Sequence, residues 1–477
     1  MQTKEQTELF EDYVQKVMKE NQIPGVAVGL AKDGQLFFGK GFGYRDVEKQ
    51  LEVTIDTVFA IGSITKSFTC VAIMQLQEAG KISVHDPVKK YLPNFRLKNG
   101  STEPITIHHF MTHTSGIPAL PSSPALLFHT ATDEEFRNDP QLLQMNREEI
   151  KPVETYEEYL DYIAQMDFEL LGPPGTQWLY NNDCYGLLGA IVERASGQSY
   201  EEYVKEHILQ PAGMYNSSFF LDDLGVNDNI TSLYVTREKS GKQIVIPSPN
   251  WWDSTVQRAA GFLKSSVRDM LNYTEIFRTG GLVGNNRILT SESVGLMTNS
   301  YFECNPIAGE NYGYGLLVIP EYHGTGMVGH AGGMKGGESQ MHIIAEKGLT
   351  GIVMSNLFVK VSTAIMNAAF NCLENRSPEA THIIFKDYPV SSENLAQFIG
   401  EFQEAAKILS LSVRLEEGQL HLYMNNQPTA LKPIDEDLFL IEGSTNAVRF
   451  IRDENNEICK IDLGGFHFSK VQEAAKS

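Results

Sequence analysis

The chain is 477 residues long with 42% hydrophobic and 21% charged side chains, ordinary globular proportions that supply a substantial core and exclude disordered and collagen-like classes. The length suits two or three domains, or one large enzyme domain with a smaller appendage, and excludes a small scaffold held by disulfides. Lys and Arg number 39 against 60 Asp and Glu, and the resulting charge of −21 repels phosphate backbones and anionic lipid, so nucleic acid is not an expected partner.

The chain begins Met-Gln-Thr-Lys-Glu-Gln-Thr-Glu before Leu9 and Phe10, where a secretory signal needs an uninterrupted apolar stretch. No apolar run approaches the ~20 residues that cross a bilayer. Cys70, Cys184, Cys304, Cys372 and Cys459 are scattered, odd in number and without a C-x-x-C pair, which suggests neither a disulfide framework nor a zinc site. These features predict a soluble, cytoplasmic protein with no metal or organic cofactor.

Phe10, Val14, Val17 and Met18 recur at helical spacing up to the Pro24-Gly25 stop, which predicts an amphipathic first helix. Gly25 to Tyr44 reads as two strands about Lys32-Asp33-Gly34, a β-hairpin. Helical spacing resumes at Ile64, Phe68, Val71 and Met74 and stops at Gly80, so Ser63 stands at a helix start. His113 to Gly175 is rich in proline and loop signals around a predicted helix near Tyr156–Met166, an expected helical and loop subdomain. A further helix runs from Tyr185 to the Gly197 stop, and strand-like runs follow at Gly315–Ile319, Gln340–Ala345 and Gly351–Met354. Beyond about Arg376 the texture changes to short alternating runs at Leu409–Leu415, Leu420–Met424, Leu438–Ile441, Val448–Ile451 and Ile458–Leu463, the pattern of a small all-β barrel or sandwich. The expected fold class is α+β, with residues 1–376 as one domain and 377–477 as a second, and Ser377-Pro378 in the linker.

Ser63-Ile64-Thr65-Lys66 is an S-x-x-K tetrad at the predicted helix start, where the spacing brings Lys66 onto the face of Ser63. A serine hydroxyl is a poor nucleophile until a base takes its proton, and a lysine does so only where neighbours or desolvation lower its pKa. Taken alone, the tetrad reads as a serine cap beside an exposed lysine. Tyr180-Asn181-Asn182, before the Tyr185 helix, adds a phenol that can share a proton with Ser63 and Lys66 and a carboxamide that can bind a substrate carbonyl or the lysine. His330-Ala331-Gly332-Gly333 adds small residues along which a substrate can lie against a strand edge.

In this order S-x-x-K, Y-x-N and H-x-G resemble the penicillin-recognising serine hydrolases, the group of class C β-lactamases, D-alanyl-D-alanine carboxypeptidases, D-aminopeptidases and related esterases. Flanking text extends the resemblance: Ile61-Gly62, His113-Thr114-Ser115-Gly116, Ala260-Gly261-Phe262 and Tyr312-Gly313-Tyr314-Gly315. It covers roughly residues 8 to 372, and the segment with Phe398-Ile399-Gly400-Glu401-Phe402 resembles the lipocalin-like C-terminal domain of some members. The resemblance implies a β-lactamase/transpeptidase-like antiparallel sheet flanked by helices, with a helical subdomain and a C-terminal barrel. It implies Ser63 as acylated nucleophile, Lys66 and Tyr180 as proton-transfer pair, and Asn182, His330, Gly332 and Gly333 as substrate-binding residues. The N–H groups of Ser63 and Gly333 would form an oxyanion hole.

His330 stands where β-lactamases place the lysine of K-T-G, and an imidazole of ordinary pKa near ~6.5 is largely neutral at pH 7. That departure favours a peptidase acting on D-amino-acid-containing peptides, or an esterase, over β-lactam hydrolysis; a catalytically silent binding or scaffold module is the reading of another class. Oligomerisation is not legible. Lys335 reads as a solvated loop charge. The G-x-G-x-x-G at Gly324–Gly329 has no predicted helix on which a pyrophosphate could rest. His108, His109 and His113 read as structural, because Phe110 stands where a metalloprotease motif needs its glutamate. Cys184 reads as a small buried apolar group, and Trp178, Trp251 and Trp252 as core or cleft aromatics.

Overall fold

The first helix forms over Lys4–Glu20, where Thr3 and Gln6 make a reciprocal capping box, and it buries Phe10, Val14 and Val17 on one face. The hairpin that follows turns at Asp33 and Gly34, with φ of 50° and 77°, the two positive values that a two-residue turn matched to strand twist requires. The computed structural model describes residues 3–98, 104–139, 142, 147–168, 170–224, 228–239, 242–248, 250–383, 388–404, 410–424, 427–442 and 447–471.

Nine antiparallel strands make the main sheet. From edge to edge they are Phe302–Asn305, Glu310–Tyr312, Leu317–Ile319, Met327–Met334, Gly337–Ile344, Leu349–Ser355, Gly25–Lys32, Gln35–Asp46 and Leu51–Glu52. Gly337–Ile344 and Leu349–Ser355 are buried at every residue, because helices cover both faces. Lys4–Glu20 and Ser362–Leu373 pack on one face around Phe10, Val28, Val353 and Phe370. The other face carries the larger core, where Thr65–Glu78 and Asn182–Ser196 lie together with Val267–Arg278. This is the expected α+β architecture.

The helical subdomain holds Ser123–Leu126, Asp133–Asn138 and Tyr156–Gln165, the last capped reciprocally by Thr155 and Glu158. Residues 140–141, 143–146 and 169 of that segment lie outside the described residues.

The C-terminal unit is a closed barrel of eight antiparallel strands from Gly400–Glu404 to Phe466–Lys470, which pair to close it. Closure leaves no free sheet edge. Its interior is filled by apolar side chains, with the rings of Phe398, Phe439 and Phe450 within 4.7–5.3 Å of one another. The alternating runs read from the sequence are five of these strands, although Leu409 itself lies outside the described residues. Gln427–Asp435 and Phe466–Lys470 carry Pro428, Pro433 and polar residues and gave no strand signal of their own.

Candidate active site

Ser63 sits in a single 3-10 turn, Gly62–Ile64, that runs directly into the helix Thr65–Glu78. The turn is held from three sides. Ser339 Oγ donates to Ile61 O at 2.8 Å, Thr65 Oγ1 donates to Gly62 O at 2.7 Å, and Ile61 N donates to Leu263 O at 3.1 Å. Gly62 has φ of 51°, and a Cβ on it would fall 2.5 Å from the backbone nitrogen of Gly333. A Cβ on Gly332 would lie 1.9 Å from Ile61 O. Glycine at these two positions is therefore what lets strand Met327–Met334 lie against the serine turn.

That strand pairs with Leu317–Ile319 only through Met327, Val328 and Gly329. Beyond Gly329 the same edge faces Gly62 and Ser63 instead of a neighbouring strand. Gly333 N is thus brought up against the turn that carries Ser63.

Lys66 lies one helical turn beyond Ser63 and is fully buried. Its side-chain nitrogen donates to Ser63 Oγ at 3.0 Å and to Ala260 O at 2.7 Å, and it lies 4.8 Å from the Tyr180 ring centroid. Burial with no carboxylate partner among the described residues drives its pKa well below the ordinary lysine value. The Ser63 hydroxyl also hydrogen-bonds the Tyr180 phenol, whose own pKa is raised by burial. The expectation of an exposed lysine beside a serine cap is therefore corrected: tertiary packing buries the amine against the serine.

Asn181 caps the helix Asn182–Ser196, accepting from Cys184 N at 2.8 Å and donating to Pro118 O at 2.7 Å. Asn182, the first helical residue, is exposed, and the hydrogen bonds of Lys66 run to Ser63 and Ala260 rather than to it. His330 is buried and both ring nitrogens are engaged. Nδ1 donates to Ala331 O at 2.5 Å, so Nε2 carries the lone pair and accepts from Tyr312 OH at 3.0 Å. Burial and the neighbouring Lys66 bring its pKa down to about 3, which makes the ring neutral.

Two residues gained a place in this cluster that the sequence did not give them. His113, read as structural, is buried with φ of 59°, and its ring lies 4.4 Å from that of Tyr180 and 4.9 Å from that of Tyr312. Its Nδ1 accepts from Asn181 N at 3.1 Å, which fixes the backbone between Tyr180 and Asn182. Tyr312 was legible only as flanking text. Lys335 also departs from expectation: its side chain is 3% exposed and is paired with Glu135, with a further hydrogen bond to Asn250 O at 2.9 Å. The partner lies in the helical subdomain, so sequence distance hid it. Cys184 is buried as expected, with Ser115 Oγ at 3.5 Å.

Among the described residues no group of His, Cys, Asp and Glu could hold a metal ion, and no helix is long and apolar enough to cross a membrane.

The profile of the Beta-lactamase family matches residues 10–371, a span that contains the sheet, the serine turn and both later motifs. The chain belongs to the Beta-lactamase family. This Beta-lactamase-family chain is similar to the octameric penicillin-binding protein homologue from Pyrococcus abyssi, with 31% identity, a TM-score of 0.69, and coverage of 97% of this chain and 99% of that one. A D-stereospecific amidohydrolase from Streptomyces sp. shares the fold at 23% identity and a TM-score of 0.57, over 73% of this chain and 94% of that one. Protein flp of Staphylococcus aureus (strain MW2) is 29% identical over 273 residues, 56% of this chain and 48% of flp. The chain spans about half the length of the curated relatives it matches.

Proposed function

We propose that the protein is a serine hydrolase that forms and hydrolyses an acyl-enzyme on Ser63, acting on a peptide that contains D-amino acids or on an ester. The observation that carries this reading is the 3.0 Å contact between Ser63 Oγ and a Lys66 amine buried with no carboxylate partner among the described residues.

The directions of the two shifts support one assignment of the proton. A lysine whose pKa is lowered by burial is ready to accept the Ser63 proton, whereas a phenol raised by burial stays protonated and can donate. In acylation the Ser63 oxygen bonds to the substrate carbonyl carbon as its proton passes to Lys66. The carbonyl oxygen takes the electron pair facing the N–H groups of Ser63 and Gly333. Collapse breaks the bond to the leaving group, which takes the proton held on Lys66, either directly or by way of Tyr180, whose hydroxyl is then reprotonated by Lys66, and water repeats the sequence to release the acid. Asn182, exposed beside Tyr180, is assigned to the substrate amide.

Neutral His330 supports a peptide or ester over a β-lactam, because it offers no fixed cation to a substrate carboxylate. Residues 1–376 form the hydrolase domain in this reading, and 377–477 the appended barrel domain. An assembly of copies, as in the octameric Pyrococcus homologue, belongs to the same proposal and is tested by light scattering.

Intact mass after incubation with a fluorophosphonate, and separately with a penicillin, tests the chemistry. The expected result is a fluorophosphonate adduct that maps to Ser63 and is absent in Ser63→Ala. A penicilloyl adduct that persists identifies peptidase-like behaviour, and rapid turnover of penicillin identifies a β-lactamase. Absence of any adduct overturns the proposal in favour of a silent module.

A further inference from the structure

The loop between strand Leu349–Ser355 and helix Ser362–Leu373 carries Phe358, a ring that is 45% exposed in a segment otherwise fastened to the fold. Leu357 before it is buried, and Ser355 Oγ donates to its carbonyl at 2.8 Å. After it, the carboxylate of Glu338 accepts from Val361 N and Ser362 N, both at 3.0 Å. Glu338 is itself buried and stands directly across the strand pair from Gly333. One carboxylate therefore fixes the loop in register with the oxyanion strand.

The consequence is a contact. A Cβ on Gly333 would fall 2.3 Å from Phe358 Cε2, so the ring lies on the Gly333 backbone. Gly333 N is in turn the atom that a Cβ on Gly62, the residue before Ser63, would meet at 2.5 Å. A large exposed aromatic group thus rests on the residue assigned to hold the scissile carbonyl oxygen. Nearby, Ala331 and Gly333 are exposed along the same strand, while the Lys335 cation at its end is occupied by Glu135 and Asn250. Lys360, two residues beyond Phe358, is exposed.

We propose that Phe358 is a specificity-determining residue whose exposed ring, seated on Gly333, receives an apolar or aromatic substituent next to the scissile carbonyl. The inference rests on the acyl-enzyme reading of Ser63. The reason is area: the ring is held in place before substrate arrives, so an apolar group laid on it leaves water without any loop having to be ordered. A small or charged group gains nothing from that face. Lys360 is the alternative recognition element in the same loop, and it would favour a carboxylate instead.

The test uses the full-length protein and two esters with the same nitrophenyl leaving group, an acetate and a 3-phenylpropionate. Wild type, Phe358→Leu, Phe358→Ala and Lys360→Gln are compared, with fluorophosphonate labelling of Ser63 run alongside. Phe358→Ala is expected to lose about tenfold in kcat/KM on the phenylpropionate, mostly through KM, and to stay within about twofold of wild type on the acetate. Phe358→Leu falls between, and Lys360→Gln leaves the ratio of the two esters unchanged. An equal fall on both esters, no fall on either, or a ratio that follows Lys360 overturns the assignment while labelling of Ser63 persists. Wild type that neither labels nor hydrolyses either ester removes the acyl-enzyme reading, and this inference with it.

Discussion

Gly465, in the turn between the last two barrel strands, lies against the Trp178 ring so closely that a Cβ would fall 2.3 Å from two of its ring carbons. Trp178 precedes Tyr180 by two residues, and its ring centroid is 6.0 Å from that of Tyr180 and 5.7 Å from that of Tyr312. The barrel therefore touches the aromatic cluster around Ser63. Gly465 has φ of 83°, so Gly465→Ala meets both a strained backbone and a steric overlap. That variant is expected to lose about 1–3 kcal/mol of barrel docking. Calorimetry and limited proteolysis near Ser377 measure the loss, and an unchanged proteolysis pattern would show that the contact does not hold the two units together.

Lys66→Met is expected to abolish fluorophosphonate labelling and to change the pH dependence of stability in a fixed direction. The folded-state pKa of Lys66 is depressed, so between that value and the unfolded value near ~10.4 the unfolded chain binds more protons. Wild-type stability contributed by this group therefore rises with pH through the window and is lost as pH falls. Urea melts at about pH 6 and about pH 9 should find the variant gaining most over wild type at the lower value. A pH-independent difference would mean that the lysine is not held neutral by burial.

Tyr312→Phe removes the Tyr312 hydroxyl that donates to His330 Nε2 and leaves a buried acceptor without it, a cost of about 1–3 kcal/mol. His330 also contributes an acid limb. Its folded pKa of about 3 lies below the unfolded value, so its stabilising share is complete above about pH 6.5 and drains away toward pH 3. Thermal melts across that range check both statements, and His330→Asn should flatten the acid limb.

Glu135→Gln and Lys335→Met each break a buried ion pair that ties the helical subdomain to the end of the motif strand. Each single change is expected to cost about 3–5 kcal/mol because it strands one buried charge, whereas the double change removes both and recovers much of the loss. A double-mutant cycle by chemical denaturation measures the coupling. Additive losses would show that the two residues act independently.

Much of this fold was legible locally. Asp33-Gly34 specified a tight hairpin, Gly80 and Gly197 marked helix ends, and the alternating runs after Arg376 marked barrel strands, because each signal depends on a backbone conformation or a two-residue period. Of the candidate site, Ser63 and Lys66 were legible because three helical residues bring them together. His113 was not, since its importance comes from a left-handed backbone and a hydrogen bond to Asn181, far along the chain.

The sequence by itself determined the S-x-x-K spacing, the mixed α and β class and the β character of the C-terminal unit, all properties of spacing within one element. Tertiary structure alone decided the chemistry of those residues. The Lys66 pKa falls only because packing removes the amine from water with no carboxylate beside it among the described residues, and His330 is neutral because the core buries it, with Nε2 left to accept from Tyr312 because Nδ1 donates to Ala331 O. The Phe358 ring reaches Gly333 only because Glu338, on the neighbouring strand, fastens the loop that carries it. Desolvation and long-range hydrogen bonds set these properties, and both depend on which distant segments the fold brings together.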